Sequence, residues 1–209
     1  MSRLAGTPQR ALPWLYAAAA TVTVAGAVSG RQRWQRWSKP ALAPLLAAHT
    51  ADPLVRTGLA AATVGDVILL EPDEDRHLVH GAAAFAAMQS AYIAALLQRS
   101  ARPTAVALVP RLLAWAGAGA LLRARAPQLA GPLLGYGLLL GTTMTLASDP
   151  ALDRRLWWGA QLFTASDGLI VMRRLLIRDE RARRIAEGAV LATYAGAQYL
   201  LVTGMTRAR

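Results

Sequence analysis

Long apolar stretches with few charges alternate with short arginine-bearing joints about eight times along this chain, and that alternation limits its fold more than any other feature. The stretches cover residues 12–29, 40–50, 54–70, 77–97, 104–122, 127–147, 157–176 and 185–203. Most hold the roughly 17–25 residues that a helix needs to cross a hydrocarbon core. Lipid offers no partner for a bare peptide group, so a helix, which bonds its own, is the form such a stretch takes. The period-two pattern of a membrane β-barrel is absent from them. The expectation is an all-α fold, a polytopic transmembrane helical bundle of about eight spans, forming one integral membrane domain over residues 1–209. The stretch 40–50 is short and opens on Pro40, which predicts a tilted or partial crossing.

Composition excludes several alternatives. A chain that is 55% hydrophobic with mean hydropathy +0.31 is not a disordered chain. It has no cysteine, which removes disulfide scaffolds, thiolate metal centres and cysteine nucleophiles. Basic residues outnumber acidic ones 23 to 12, for a net charge of +11. In a soluble fold that balance would point to nucleic acid. Here the arginines sit in the joints rather than along one face, as positive charge does around membrane helices, so no nucleic-acid partner is expected. Further apolar stretches follow the first, so it reads as a retained helix rather than a cleaved leader. The odd-numbered joints carry thirteen Lys and Arg, against nine in the tails and even-numbered joints. By the positive-inside rule the odd joints face the cytoplasm and both termini lie outside, in a multi-pass protein of the plasma membrane. Gly117, Gly119, Gly131, Gly135 and Gly137 are expected to let helices approach closely.

Charged groups inside such stretches cost about 2.5–3.5 kcal/mol each on insertion scales and mark pathways or sites. Asp66 lies late in the third stretch, Asp167 near the middle of the seventh, and Glu187 in the first turn of the eighth. For Asp66 and Asp167 the functional reading is a pair of carboxylates in one cavity. The plain alternative is a polar clamp between helices, each acid bonded to a hydroxyl or to Arg111. Glu187 reads most simply as an acid favouring its helix dipole. Helical spacing places Phe85, Gln89 and Tyr92 on one face, and Glu187, Tyr194 and Gln198 on another. A cavity holding these groups would open toward the odd joints. There Lys39 and the arginines of the first and seventh joints form a basic mouth suited to a lipid phosphate. His77 and His80 share an i, i+3 spacing but lack a third ligand nearby, and no metal site is expected. No Gly-x-Ser-x-Gly elbow, His-Glu-x-x-His pair or phosphate loop occurs.

These residues resemble the YhhN family of integral membrane proteins, which includes the lysoplasmalogenases. The resemblance runs over nearly the whole chain. It is carried by Lys39-Pro40, Gly65-Asp66, the segment from Phe85 to Tyr92, Tyr136 and Met144, Leu162-Phe163 with Ser166-Asp167, and Thr193-Tyr194 with Ala197-Gln198. The family pattern often has His where this chain has Gln89, whose amide does not titrate. The resemblance implies hydrolysis of the vinyl ether of a lysoplasmalogen-type lysophospholipid to a fatty aldehyde and a glycerophospho-base, with no cofactor and no metal. A carboxyl that delivers a proton to carbon and a carboxylate that stabilises the resulting cation suit that chemistry. Asp167, expected to be the deeper and drier, is assigned as the acid, and Asp66 as the base or stabiliser. Lys39, Gln89, Tyr92, Tyr136, Ser166, Tyr194 and Gln198 are the expected substrate-binding residues. A small transporter or lipid-binding membrane protein using the same acids is the competing reading.

Overall fold

The computed structural model describes residues 7–71 and 73–206, with side chains from residue 11 onward. The tail arginines Arg3, Arg207 and Arg209 lie outside the described residues. The elements are α1 (Thr7–Ser29), α2 (Gln32–Ser38), a 3₁₀ turn (Lys39–Ala41), α3 (Leu42–Ala47), α4 (Pro53–Ile68) and α5 (Asp75–Gln98), followed by α6 (Ala105–Arg125), α7 (Pro127–Leu146), α8 (Arg154–Leu175) and α9 (Glu180–Thr206). No strand occurs among the described residues.

Local chemistry sets the boundaries. Asp52 caps α4, its side chain accepting from the Leu54 and Val55 amides at 2.9 and 3.2 Å, with Pro53 at the first helical position. Thr104 and Asp153 cap α6 and α8 in the same way. Helix α1 ends at Gly30, whose φ of +69° needs no Cβ, while the Arg31 amide reaches back to the Gly26 carbonyl at 2.8 Å. The break before α3 falls at Lys39-Pro40. Proline has no N–H to donate and its ring crowds the preceding turn, so the helix tightens to 3₁₀ there. The predicted second crossing is thus the last part of a kinked helical rod over 32–47.

Alternate connections gather at opposite ends of the bundle. At one end the odd joints meet: Arg36 pairs with Glu71 at 3.1 Å, Arg173 and Arg183 with Asp73 at 2.8 and 2.9 Å, and Gln128 donates to Asp75 at 3.1 Å. At the other end Arg99 pairs with Asp52 at 2.7 Å and donates to the Met205 carbonyl, and the Arg102 amide donates to Asp149 at 2.7 Å. Among the described residues, eight helical passes run between the two ends of the bundle, counting the kinked rod as one. Five of those passes contain helix long and apolar enough to cross a membrane: 11–29 of α1, then α5, α6, α7 and α9. The count of about eight spans is wider than that set. Helix α4 has 16 residues, and α8 carries Arg154, Arg155, Asp167, Arg173 and Arg174.

Glycines are used unevenly. On α4, a Cβ at Gly58 would stand 2.7 Å from the Tyr92 ring, and one at Gly65 would stand 2.7 Å from Phe85. These two set the close approach of α4 to α5. Of the five glycines expected to do such work, Gly119 and Gly137 do, against Leu134 and Trp115. Gly117, Gly131 and Gly135 do not: a Cβ at any of them meets nothing within 4 Å. Small residues in lipid can seat a neighbour or leave a hollow, and the sequence does not separate the two uses.

Candidate active site

The close α4–α5 packing starts the site. With Gly65 admitting it, Phe85 reaches across and meets the Tyr194 ring edge-on, centroids 5.8 Å apart. Phe163 of α8 meets the same ring from another side at 5.9 Å. Tyr194 is thereby fixed by aromatic contacts from two helices, and its hydroxyl donates to the Asp66 Oδ2 at 2.9 Å. Behind it, the Gln198 Nε2 donates to the Tyr194 hydroxyl at 3.3 Å and to the Met88 Sδ at 3.1 Å. The Tyr92 hydroxyl donates to the Gln198 Oε1 at 2.9 Å. The result is a buried run of donors, Tyr92 to Gln198 to Tyr194, ending on the carboxylate of Asp66. Each bond polarises the next, which strengthens the last one.

Lys39 lies on the same side. It is buried, and its Nζ donates to the Leu69 carbonyl at 2.8 Å, at the C-terminus of α4, where a cation meets the helix dipole. Its ammonium is within electrostatic reach of Asp66, and also of Glu187 and Arg173. The expected cation of the mouth is thus an internal group of the cavity.

Asp167 belongs to a second group. The Tyr136 hydroxyl of α7 donates to its Oδ2 at 2.6 Å. The Gln89 side chain of α5 lies next to Tyr136 but makes no hydrogen bond of ordinary geometry, and both of its amide atoms are buried without a partner. The Ser166 hydroxyl donates to the Val190 carbonyl at 3.1 Å and so ties α8 to α9. Arg111, the alternative partner for the acids, donates instead to the Ala107 carbonyl and to Ser148.

One cavity of about 410 Å³, mostly apolar, joins the two groups; Lys39, Asp66, Tyr136, Ser166, Asp167 and Tyr194 all line it. Three expected members do not. Gln89, Tyr92 and Gln198 stand in the layer behind the wall, and the last two act on the cavity through Tyr194. The α5 stripe divides because Gln89 and Tyr92 are about 60° apart around the helix, so one faces α7 and the other α9. Six more residues of helix, about 9 Å of rise, separate Asp167 from the odd-joint end than separate Asp66 from it. Asp167 is therefore the deeper acid, as expected. Asp66 is 1% exposed, and Asp167 keeps a partly exposed surface on α8. A centrally placed helical residue is deep along the bundle axis yet can still face a hollow.

Glu187 differs from expectation. Helix α9 begins at Glu180, so Glu187 lies about two turns in rather than in the first turn. It stands 3.2 Å from the Arg173 Nε and accepts from Gln35, beside a second, polar cavity of about 370 Å³ at the odd-joint end. Asp73 lines that cavity as well; burial alone would raise its pKa, but Arg173 and Arg183 outweigh burial and hold the carboxyl below its ordinary range. Among the described residues, Glu71, Glu74 and His77 each bring one ligand atom within 4.8 Å of the others. Glu71 is already paired with Arg36. Arg174, one of the seventh-joint arginines expected at the mouth, lines the cavity; sequence reasoning gave no part in its wall to Gly141 or Gly168, which line it too and which nothing in their spacing marks.

The model of the YhhN family matches residues 34–205, a segment that holds both acids and every other expected site residue. No curated protein and no solved structure matches the chain. With the family model covering well over half its length, the chain belongs to the YhhN family.

Proposed function

We propose that this protein hydrolyses the vinyl ether bond of lysoplasmalogen-type lysophospholipids within the membrane. The observation that carries the reading is the shared cavity: two carboxylates from different helices, each with its own tyrosine donor, line one largely apolar hollow. An apolar site with a few convergent polar groups is the usual form of a small-molecule site.

The reaction adds one water and breaks one C–O bond. Asp167 delivers its proton to the vinyl carbon remote from oxygen, which turns the C=C–O unit into an oxocarbenium ion. The Asp66 carboxylate stabilises that cation, with the Tyr92–Gln198–Tyr194 run and Lys39 holding it in place. Water adds to the cationic carbon as Asp66 takes its proton. The hemiacetal so formed passes its hydroxyl proton to the Asp167 carboxylate while Asp66 returns a proton to the glycerol oxygen; that oxygen leaves as an alcohol, a fatty aldehyde remains, and both acids regain their starting states. Glycosidases divide the same work between two carboxyl groups over a related cation. Asp66 suits the ionised role because the tyrosine run donates to it and the Lys39 ammonium lies within reach. The test is aldehyde release from a lysoplasmalogen by purified protein in proteoliposomes. Release that depends on both acids supports the hydrolase; substrate or proton flux without aldehyde would favour the transporter reading.

A further inference from the structure

Three glycines from three helices line the cavity and pack against nothing. A Cβ at Gly117 on α6, Gly141 on α7 or Gly168 on α8 would meet no atom within 4 Å. A glycine inside a membrane helix costs helix propensity, and close packing usually accounts for it. These three have no such neighbour; they widen one wall of the hollow that holds the acids. Measured from the odd-joint ends of their helices, Gly168 lies seven residues in, Gly117 eight and Gly141 fourteen. Arg111 also lines the cavity fourteen residues from that end, its guanidinium turned away to the Ala107 carbonyl and Ser148. From Leu122 to Arg111 the lined stretch of α6 is about 16 Å long by the helical rise. That is about half of a hydrocarbon core of ~30 Å, the reach of one leaflet's chains.

We propose that Gly168, Gly117 and Gly141 form a groove for a single alkyl chain, which runs from the acids to a floor at Arg111. The assignment rests on the reading of this cavity as a lysolipid site and adds where the chain lies and what limits its length. The Lys39 and Arg174 end holds the polar part of the lipid, and the chain descends past Gly168 and Gly117 to Gly141. Gly141 then acts on long chains only, because a short chain ends above it.

The test uses non-hydrolysable single-chain alkyl ether glycerophosphocholines of six to eighteen carbons, bound to the full chain in phosphatidylcholine nanodiscs. Probe partitioning into the disc is common to all variants, so the ratio of variant to wild-type binding at each length isolates the groove. Gly141→Leu is expected to cut binding of the eighteen-carbon probe about tenfold, as overpacking does, and to leave the six-carbon probe, too short to cover the rise of about 9 Å from Asp167 to Gly141, within about twofold, which also shows that the variant is folded. Gly168→Leu is expected to cut binding at every length. Gly131→Leu and Gly135→Leu, open glycines of α7 outside the cavity wall, are the controls and are expected to change neither. A Gly141→Leu profile that is flat with length, or matched by either control, overturns the groove. Aldehyde release from a vinyl ether lysolipid is scored separately. A length-dependent profile without aldehyde would sink the hydrolase and keep the groove; aldehyde with a flat profile would do the reverse.

Discussion

Tyr194→Phe is the most informative conservative change in the site. It removes one oxygen and keeps the ring that meets Phe85 and Phe163 edge-on. Two hydrogen bonds go with that oxygen, the 2.9 Å bond to Asp66 and the 3.3 Å bond from Gln198. Gln198 keeps its contacts with Met88 and Tyr92, so its loss is small. Asp66 loses a donor while fully buried. Interhelical hydrogen bonds in membranes average about 0.6 kcal/mol in double-mutant cycles. A buried acceptor stripped of its partner costs about 1–3 kcal/mol. Together these give a loss of about 2 kcal/mol, which at 2–4 °C per kcal/mol for a chain this size lowers the melting temperature by about 4–8 °C. Activity is expected to fall further than stability accounts for, because the Asp66 carboxylate loses the group that aims it. Tyr92→Phe, two links back, is expected to cost less of both. The assay pairs thermal unfolding in detergent with initial rates of aldehyde release for the two variants, alone and combined with Asp66→Asn. If Tyr194→Phe is as stable and active as the parent, or if its effect adds in full to that of Asp66→Asn, the run of donors does not serve Asp66.

Other changes test the packing and the ends of the bundle. Gly58→Ala places a Cβ 2.7 Å from the buried Tyr92 ring and is expected to destabilise by about 1–3 kcal/mol, read as a lower melting temperature; an unchanged value would refute the close α4–α5 approach. Gln89→Leu, which replaces a buried amide with no partner by an apolar side chain of similar size, is expected to leave the melting temperature level or raise it; a clear fall would mean that the amide is satisfied by a group such as a trapped water. Asp52 is opposed by burial but held below its ordinary pKa chiefly by Arg99, so its stabilising effect is present above the usual carboxylate range and is lost as pH falls through the lowered value. Melting temperatures between about pH 7 and pH 3 are therefore expected to drop more for the parent than for Asp52→Asn; parallel curves would remove the Asp52–Arg99 pair as a tie between the even joints.

The bundle was legible because lipid leaves a long apolar stretch one option, and every stretch but 40–50, which holds a 3₁₀ turn and the six-residue α3, became a single helix. Its joints were legible less exactly. Hydropathy trims the charged turns from a helix end, which is why α9 starts at Glu180 rather than near Ile185, and why Glu187 moved out of the first turn. Asp66 and Asp167 stood out by the cost of placing a carboxylate in an apolar helix, and both line the cavity. Their partners were harder to read. Spacing put Tyr194 and Gln198 on one face, and they are bonded to each other. The same arithmetic joined Gln89 to Tyr92, which turn toward different neighbours, since a helical stripe states a direction and not which helix lies there. Tyr136 entered only through the family resemblance. Its bond to Asp167 spans 31 residues and two helices, and no local pattern encodes it. Gly117, Gly131 and Gly135 read as packing residues in the sequence because composition cannot show a hollow.

The most direct test of the central claim is aldehyde release from a lysoplasmalogen by four proteins matched for folded yield: the parent, Asp66→Asn, Asp167→Asn and the double variant. Asparagine keeps the size and hydrogen-bonding shape of each side chain and removes the titrating group. General acid catalysis contributes about 10²–10⁴-fold, so Asp167→Asn is expected to lose turnover by that factor. Asp66→Asn is expected to lose a comparable amount, as electrostatic stabilisation of a cation is often the largest single contribution. The double variant is expected to be little worse than either single one, because groups acting as one unit are not additive. Near-parental release by both single variants would contradict the account and return the two aspartates to the role of a polar clamp between helices.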